Sequence, residues 1–139
     1  MGKTEQQAVT ARTLRPGEPP PEQFGETFLH LRGLDREWIW IVEHSGMTVG
    51  LLIAAPCHGI GMILRVRTDP DTAPRSALLV LLRKFFSDLR ARGYQGFMSW
   101  FDETNDDERI LQKIAEQLGG LVVSRPGVAV ASFLPPEGT

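Results

Sequence analysis

Residues 61–92, GMILRVRTDPDTAPRSALLVLLRKFFSDLRAR, decide the fold. The first part alternates: Met62, Leu64, Val66 and Thr68 point one way, and Ile63, Arg65 and Arg67 the other, the period of two that marks a strand. Asp69-Pro70 stops it, because proline has no amide donor and restricts the residue before it. The following residues predict a helix with Asp71 or Thr72 as N-cap and Pro74 in the first turn. Its apolar face is Leu78, Leu81, Leu82, Phe85 and Leu89, and Gly93 ends it. A strand that feeds a helix N-terminus through a short loop is a place where proteins often hold phosphate groups.

Upstream, the polar stretch MGKTEQQA reads as a solvated tail, Val9–Leu14 as a short strand, and PGEPPP (16–21) as an extended spacer with polyproline II bias. Residues 1–21 thus form a Pro-rich arm, and residues 22–139 one domain. Phe24, Phe28 and Leu31 recur at helical spacing, so Glu22–Arg32 predicts a short amphipathic helix ended by Gly33. EWIWIVE (37–43) is apolar on both faces and predicts a buried strand; a His44-Ser45-Gly46 turn returns it as TVGLLIAA (48–55). Pro56–Gly59 is read as the next turn.

Downstream, GFMSWF (96–101) predicts a strand, and Thr104 caps a helix through Leu118 with Asp106, Asp107 and Glu108 in its favourable first turn. Leu121–Ser124 and Val128–Phe133 read as a closing hairpin. Antiparallel strands leading into a βαβ crossover, covered by helices, make an α+β fold of three layers (α/β/α) with a mixed, mostly antiparallel twisted sheet.

Composition narrows the function classes. Among 139 residues, 15 basic and 17 acidic side chains give a net charge of −2, so no electrostatic footprint argues for nucleic acid or an anionic membrane. No apolar run reaches the roughly 20 residues that span a bilayer. The single Cys57 excludes an internal disulfide and fits a reducing compartment, so the expected location is the cytoplasm or a particle assembled there. His30, His44 and His58 lack ligand spacing, so no metal site is expected. Cys57-His58 reads as turn residues rather than a nucleophile and its base. Arg83, Lys84, Arg90 and Arg92 read as the solvated side of the long helix, and Trp38 and Trp40 as core residues on one face of a strand.

From about residue 37 to 134 the chain resembles the GNAT acetyltransferase superfamily. VEHSGMTVGLLIAA is similar to its second and third strands, RVRTDP to the end of its fourth strand, SALLVLLRKFFSDLRARGYQGF to its long third helix, and ERILQKIAEQLGG to its fourth helix. The resemblance implies acetyl-CoA, held by a loop of the form Arg/Gln-x-x-Gly-x-Gly/Ala whose glycines let amides approach the pyrophosphate. Here only DTAPR (71–75) lies between strand and helix. It is shorter, has no glycine, and carries a proline. The family's tyrosine acid on the fourth helix aligns with Ala115, and Arg65 and Arg67 occupy the region of its glutamate base.

These departures imply a non-catalytic structural or interaction subunit on a GNAT-like scaffold, with no cofactor. Its Pro-rich arm would dock on a neighbouring subunit in an oligomer or larger assembly such as a phage particle, since such a segment loses little entropy on binding. The alternative is a divergent acyl-CoA-dependent N-acetyltransferase. In it the amides of Ala73, Arg75, Ser76, Ala77 and Leu78, with the Arg75 guanidinium, hold the pyrophosphate of acetyl-CoA, and Asp102 or Glu103 serves as base.

Overall fold

A computed structural model describes residues 8–28, 35–100, 109, 110, 113 and 129–133. The described residues include six strands and one long helix: β1 (Val9–Thr13), β2 (Ile39–His44), β3 (Met47–Cys57), β4 (Ile60–Thr68), α1 (Ala77–Ala91), β5 (Gly96–Trp100) and β6 (Ala129–Phe133). The strands hydrogen-bond in the order 1-2-3-4-5-6. β1 runs antiparallel to β2, β2 to β3 and β5 to β6, while β4 and β5 are parallel, so the fold is α+β with a mixed sheet. Parallel neighbours need a crossover, and α1 is that connection. The chain divides into two compact units, Met1–Ile53 with Arg65–Phe85, and Ala54–Leu64 with Phe86–Thr139.

In the first unit, Trp40 is the centre of the core. Its ring meets Trp38 edge-on at 5.8 Å and Phe85 of α1 edge-on at 4.8 Å, the geometry that ring quadrupoles favour. Ile41, Val42, Leu51, Leu52, Ile53, Leu81 and Leu82 of the same unit are all buried. Ser45 and Gly46 both take left-handed backbone (φ 52° and 78°), the two-residue turn that matches strand twist. β2 starts later than the apolar run suggests. Trp38 lies in a 3-10 turn, Arg36–Trp38, closed by its amide on the Asp35 carbonyl at 2.9 Å.

Of the helix expected over Glu22–Arg32, the described part, Glu22–Phe28, is a 3-10 segment with Phe24 outside helical geometry, and residues 29–32 lie outside the described residues. Phe24 donates to the Pro21 carbonyl at 3.1 Å, and Gly25 follows, the residue with the weakest helical preference after proline. Phe24 is nevertheless buried, as its spacing requires.

Residues 8–21 of the expected arm are described, and they include a strand of the sheet. β1 pairs with β2 from Val9↔His44 to Thr13↔Trp40, and Leu14 is buried. Beyond it, Arg12 places Nη1 and Nη2 on the two Glu18 carboxylate oxygens at 2.8 and 2.9 Å and Nε on Glu43 at 3.0 Å. Arg36 adds a bond to the Glu18 carbonyl at 2.8 Å. The Pro-rich stretch is therefore pinned to its own unit.

The second unit packs Phe86 of α1 on Phe97 of β5 at 4.8 Å and Leu89 over Gly61 of β4. A Cβ at Gly61 would lie 2.8 Å from Leu89 Cδ2, so a side chain there requires the Leu89 side chain to shift. The β4–β5 ladder covers Ile60↔Gly96 to Ile63↔Ser99. Cys57 closes β3 rather than lying in a turn; the turn is His58-Gly59 alone, both left-handed (φ 49° and 82°). α1 ends as its glycine predicts: Gly93 has φ 87°, Tyr94 donates to the Leu89 carbonyl and Gly93 to that of Arg90, a Schellman close. Arg109, Ile110 and Lys113 are helical and exposed. The rest of the expected helix, Ala115, the strand Leu121–Ser124, and Asp102 and Glu103 lie outside the described residues.

Candidate functional site

β4 delivers the chain to the turn 69–76, all within the first unit. Asp69 organises this turn. Its own amide donates to the Val49 carbonyl at 2.8 Å, which fixes it to the end of the sheet. Its carboxylate accepts the Asp71 amide at 2.9 Å, and Thr72 adds its hydroxyl and amide. These donors, the Asp71 amide foremost, hold the carboxyl below its usual range, because they stabilise the charged form. The Ala73 amide then donates to the Asp69 carbonyl at 2.9 Å. An aspartate that captures amides two residues ahead is the local competitor of a helix start. That is why α1 begins at Ala77 and not after Asp71 or Thr72, and why Pro74 lies before it.

The amides of the turn divide into two groups. Ala73 donates to Asp69 and Ala77 to the Pro74 carbonyl at 3.0 Å, so these two residues of the expected cradle close the turn. The helical ladder begins with Val80 donating to the Ser76 carbonyl at 2.9 Å. Leu78 and Leu79 therefore carry first-turn amides that precede the ladder, the donors that a helix N-terminus offers to an anion. Among the described residues, nothing accepts from the amides of Arg75, Ser76, Leu78 or Leu79. The Arg75 and Ser76 side chains are exposed beside them. This donor set, amides plus a guanidinium, matches the chemistry of a diphosphate, and needs no glycine because the turn is built by Asp69 instead.

Next to the turn is a cavity of about 550 Å³ lined by Glu22, Phe24, Arg67, Thr68 and Asp69. Gln23, also on its wall, donates its side-chain amide to the Thr48 carbonyl and so ties the 3-10 segment to β3. Arg67 Nη1 donates to the Val66 carbonyl at 2.7 Å, which orients the guanidinium. Sequence reasoning missed this cavity. Glu22 and Arg67 are 45 positions apart, and no local pattern joins them. The Asp69-Pro70-Asp71-Thr72 run, by contrast, carried the signal of an Asx turn. Among the described residues no group of His, Cys, Asp and Glu is placed to hold a metal ion, and no helix is long and apolar enough to cross a membrane.

No family model matches the sequence, and no curated protein is similar to it in sequence. Solved structures are similar in fold. The ribosomal-protein-S18-alanine N-acetyltransferase of Escherichia coli superposes with a TM-score of 0.63 at 14% identity, over 95% of this chain and 99% of that one. The PaiA N-acetyltransferase of Thermoplasma acidophilum, solved with coenzyme A, gives 0.64 at 9% identity over 91% and 99%. N-acetylglutamate synthase of Neisseria gonorrhoeae, solved with coenzyme A and L-arginine, gives 0.67 at 16% identity, over 94% of this chain and 34% of that one.

Proposed function

We propose, from the premise that the chain has the fold of the GNAT N-acetyltransferases, that it is an acyl-CoA-dependent N-acyltransferase with a rebuilt pyrophosphate site. The reading set second on sequence grounds becomes the preferred one. The observation that carries it is the α1 N-terminus, where the Leu78 and Leu79 amides precede the helical ladder beside the exposed Arg75. The neighbours solved with coenzyme A support it, since their fold is the one found here. When bound, the cofactor supplies an activated acyl group: the acceptor nitrogen forms the new C–N bond, the C–S bond breaks, and the products are an amide and the thiol.

The chain's own contribution is binding and orientation. The amides of Arg75, Ser76, Leu78 and Leu79 would take the pyrophosphate oxygens, the helix dipole and the Arg75 guanidinium would offset their charge, and Asp69 would hold the turn rigid. Asp102 and Glu103 stay the carboxylates proposed to accept the amine proton. The departures from the family pattern concern the glycine loop, the tyrosine and the glutamate. Asp69 offers a physical replacement for the first, and proximity can carry much of the rate without the other two.

Calorimetric titration with acetyl-CoA and with free CoA tests the reading. Micromolar binding is expected, and Arg75→Glu should weaken it at least tenfold, since a charge-assisted contact contributes about 1.5–3 kcal/mol. Undetectable binding by the wild-type chain would end the acyltransferase reading and leave a scaffold whose partners are to be sought.

A further inference from the structure

β1 is an end strand: among the described residues it pairs with β2 and with no other strand. Its register shows which backbone groups that pairing uses. One step beyond Thr13↔Trp40, Leu14 donates to the carbonyl of Ile39 opposite it at 3.0 Å, so that pair is hydrogen-bonded. Antiparallel pairs alternate between bonded and non-bonded, so Arg12↔Ile41 and Thr10↔Glu43 are the other bonded pairs. Val9, Ala11 and Thr13 therefore turn their amides and carbonyls away from β2, to the outer edge. Among the described residues nothing accepts from these three amides, and of the carbonyls only that of Thr13 is used, taking Arg12 Nη1 at 3.2 Å with a lone pair to spare. Sheet edges that must stay single carry proline, a bulge or a free charge. VTART has no proline and no bulge in its register, and its one charge, Arg12, is held by Glu18 and Glu43.

We propose that this edge is the pairing surface for a second copy of the chain, laid antiparallel with Ala11 opposite the second copy's Ala11. The outward groups sit at 9, 11 and 13, symmetric about Ala11, so a two-fold axis there brings every outward amide to an outward carbonyl. Ala11 exchanges two hydrogen bonds with itself, and Val9 exchanges two with Thr13 in each direction. The contact is isologous and closes at two copies. Side chains agree with that register. Val9 faces Thr13, a pair of β-branched residues, and the small Ala11 faces itself. Arg12 faces Thr10, so no two charges stand directly opposite, and the two carboxylates on each Arg12 offset the diagonal approach of the guanidinium groups. An unrelated extended segment would satisfy the same backbone groups, but only a second copy is matched to them by the sequence of β1 itself. The inference is independent of the acyltransferase reading.

The test is sedimentation velocity of the full chain from micromolar to submillimolar concentration, where a species of twice the monomer mass should grow reversibly. Ala11→Pro removes the central outward donor and, because that amide takes no part in the β1–β2 ladder, should leave the chain folded by circular dichroism and monomeric. Oxidative cross-linking reads the register and does not depend on that variant. With the native thiol removed by Cys57→Ser, Ala11→Cys should give a disulfide-linked dimer, since directly opposed residues of a bonded pair lie about 5.5 Å apart at Cα and a disulfide spans about 4.4–6.8 Å. Thr13→Cys in the same background should not, because the register sets the two copies of Thr13 more than about 13 Å apart. The proposal is overturned if the wild-type chain is monomeric throughout the range, whether or not it captures an extended peptide. It is equally overturned if folded Ala11→Pro dimerises as the wild type does, or if Thr13→Cys cross-links as readily as Ala11→Cys.

Discussion

Glu18 is the most heavily used side chain of the N-terminal region. Its carboxylate takes both terminal nitrogens of Arg12 and the Arg15 amide, while its carbonyl takes Arg36. The Arg12 bonds first, and the Arg15 amide next, pull its pKa from the usual value near 4.5 down to about 2. A folded pKa below the unfolded one means stability that is present above the unfolded value and lost as pH falls through the folded one. The contribution should thus be complete above about pH 5 and shrink between about 4.5 and 2. Both partners are partly exposed, so the effect is screened and modest. Thermal unfolding of the wild type and of Glu18→Gln from pH 2 to 6 checks it. The midpoints should differ at pH 6 and converge toward pH 2; a constant gap would mean that the charge of Glu18 is irrelevant.

At the scale of the element, β3 depends on one position without a side chain. Gly50 stands opposite Val42, and a Cβ there would meet Val42 Cγ1 at 2.8 Å, the Arg67 carbonyl at 3.0 Å and Thr68 Cγ2 at 3.1 Å. The carbonyl belongs to the β4 backbone beside the cavity, so it cannot yield without moving Arg67. Gly50→Ala should cost about 1–3 kcal/mol, as overpacking does, read as a lower denaturant midpoint with an unchanged slope. An unaltered midpoint would show that β3 and β4 separate easily at this point. The elements themselves were legible to different degrees, for physical reasons. The β2–β3 turn and the close of α1 were readable because a Ser-Gly pair and a glycine after the last apolar residue are local signals of left-handed backbone. The start of α1 was not, because Asp69 acts across the boundary and captures the amides that a helix would use. Phe24 and Phe28 suit a 3-10 segment as well as the short amphipathic helix that their spacing predicts, and the choice rests on Pro21 and Gly25. The Arg12–Glu43 ion pair, and the cavity of Glu22 and Arg67, join residues far apart in sequence, which no spacing rule can see.

At the scale of the whole molecule, the consequence concerns residues 1–21. Read from composition, they are a detachable arm, and deleting them should leave the domain folded. The structure argues otherwise. β1 supplies five register pairs to β2, and Leu14 lies in the core at 4% exposure with its amide on the Ile39 carbonyl at 3.0 Å. Burial of one leucine contributes about 1.5–3 kcal/mol, and loss of β1 also leaves the outer edge of β2 unpaired, a template for association with other chains. A stability of about 5–15 kcal/mol does not absorb such losses easily. Deletion of residues 1–21 should therefore lower the unfolding midpoint sharply and raise the tendency to aggregate, whereas deletion of residues 1–7 alone, which stops short of β1, should do neither. Comparing the two truncations by thermal unfolding and size-exclusion chromatography separates the alternatives. If the longer deletion unfolds at the wild-type temperature and stays monodisperse, β1 is dispensable and the arm reading regains its force; if it fails while the shorter one does not, β1 and the stretch that Glu18 pins belong to the domain.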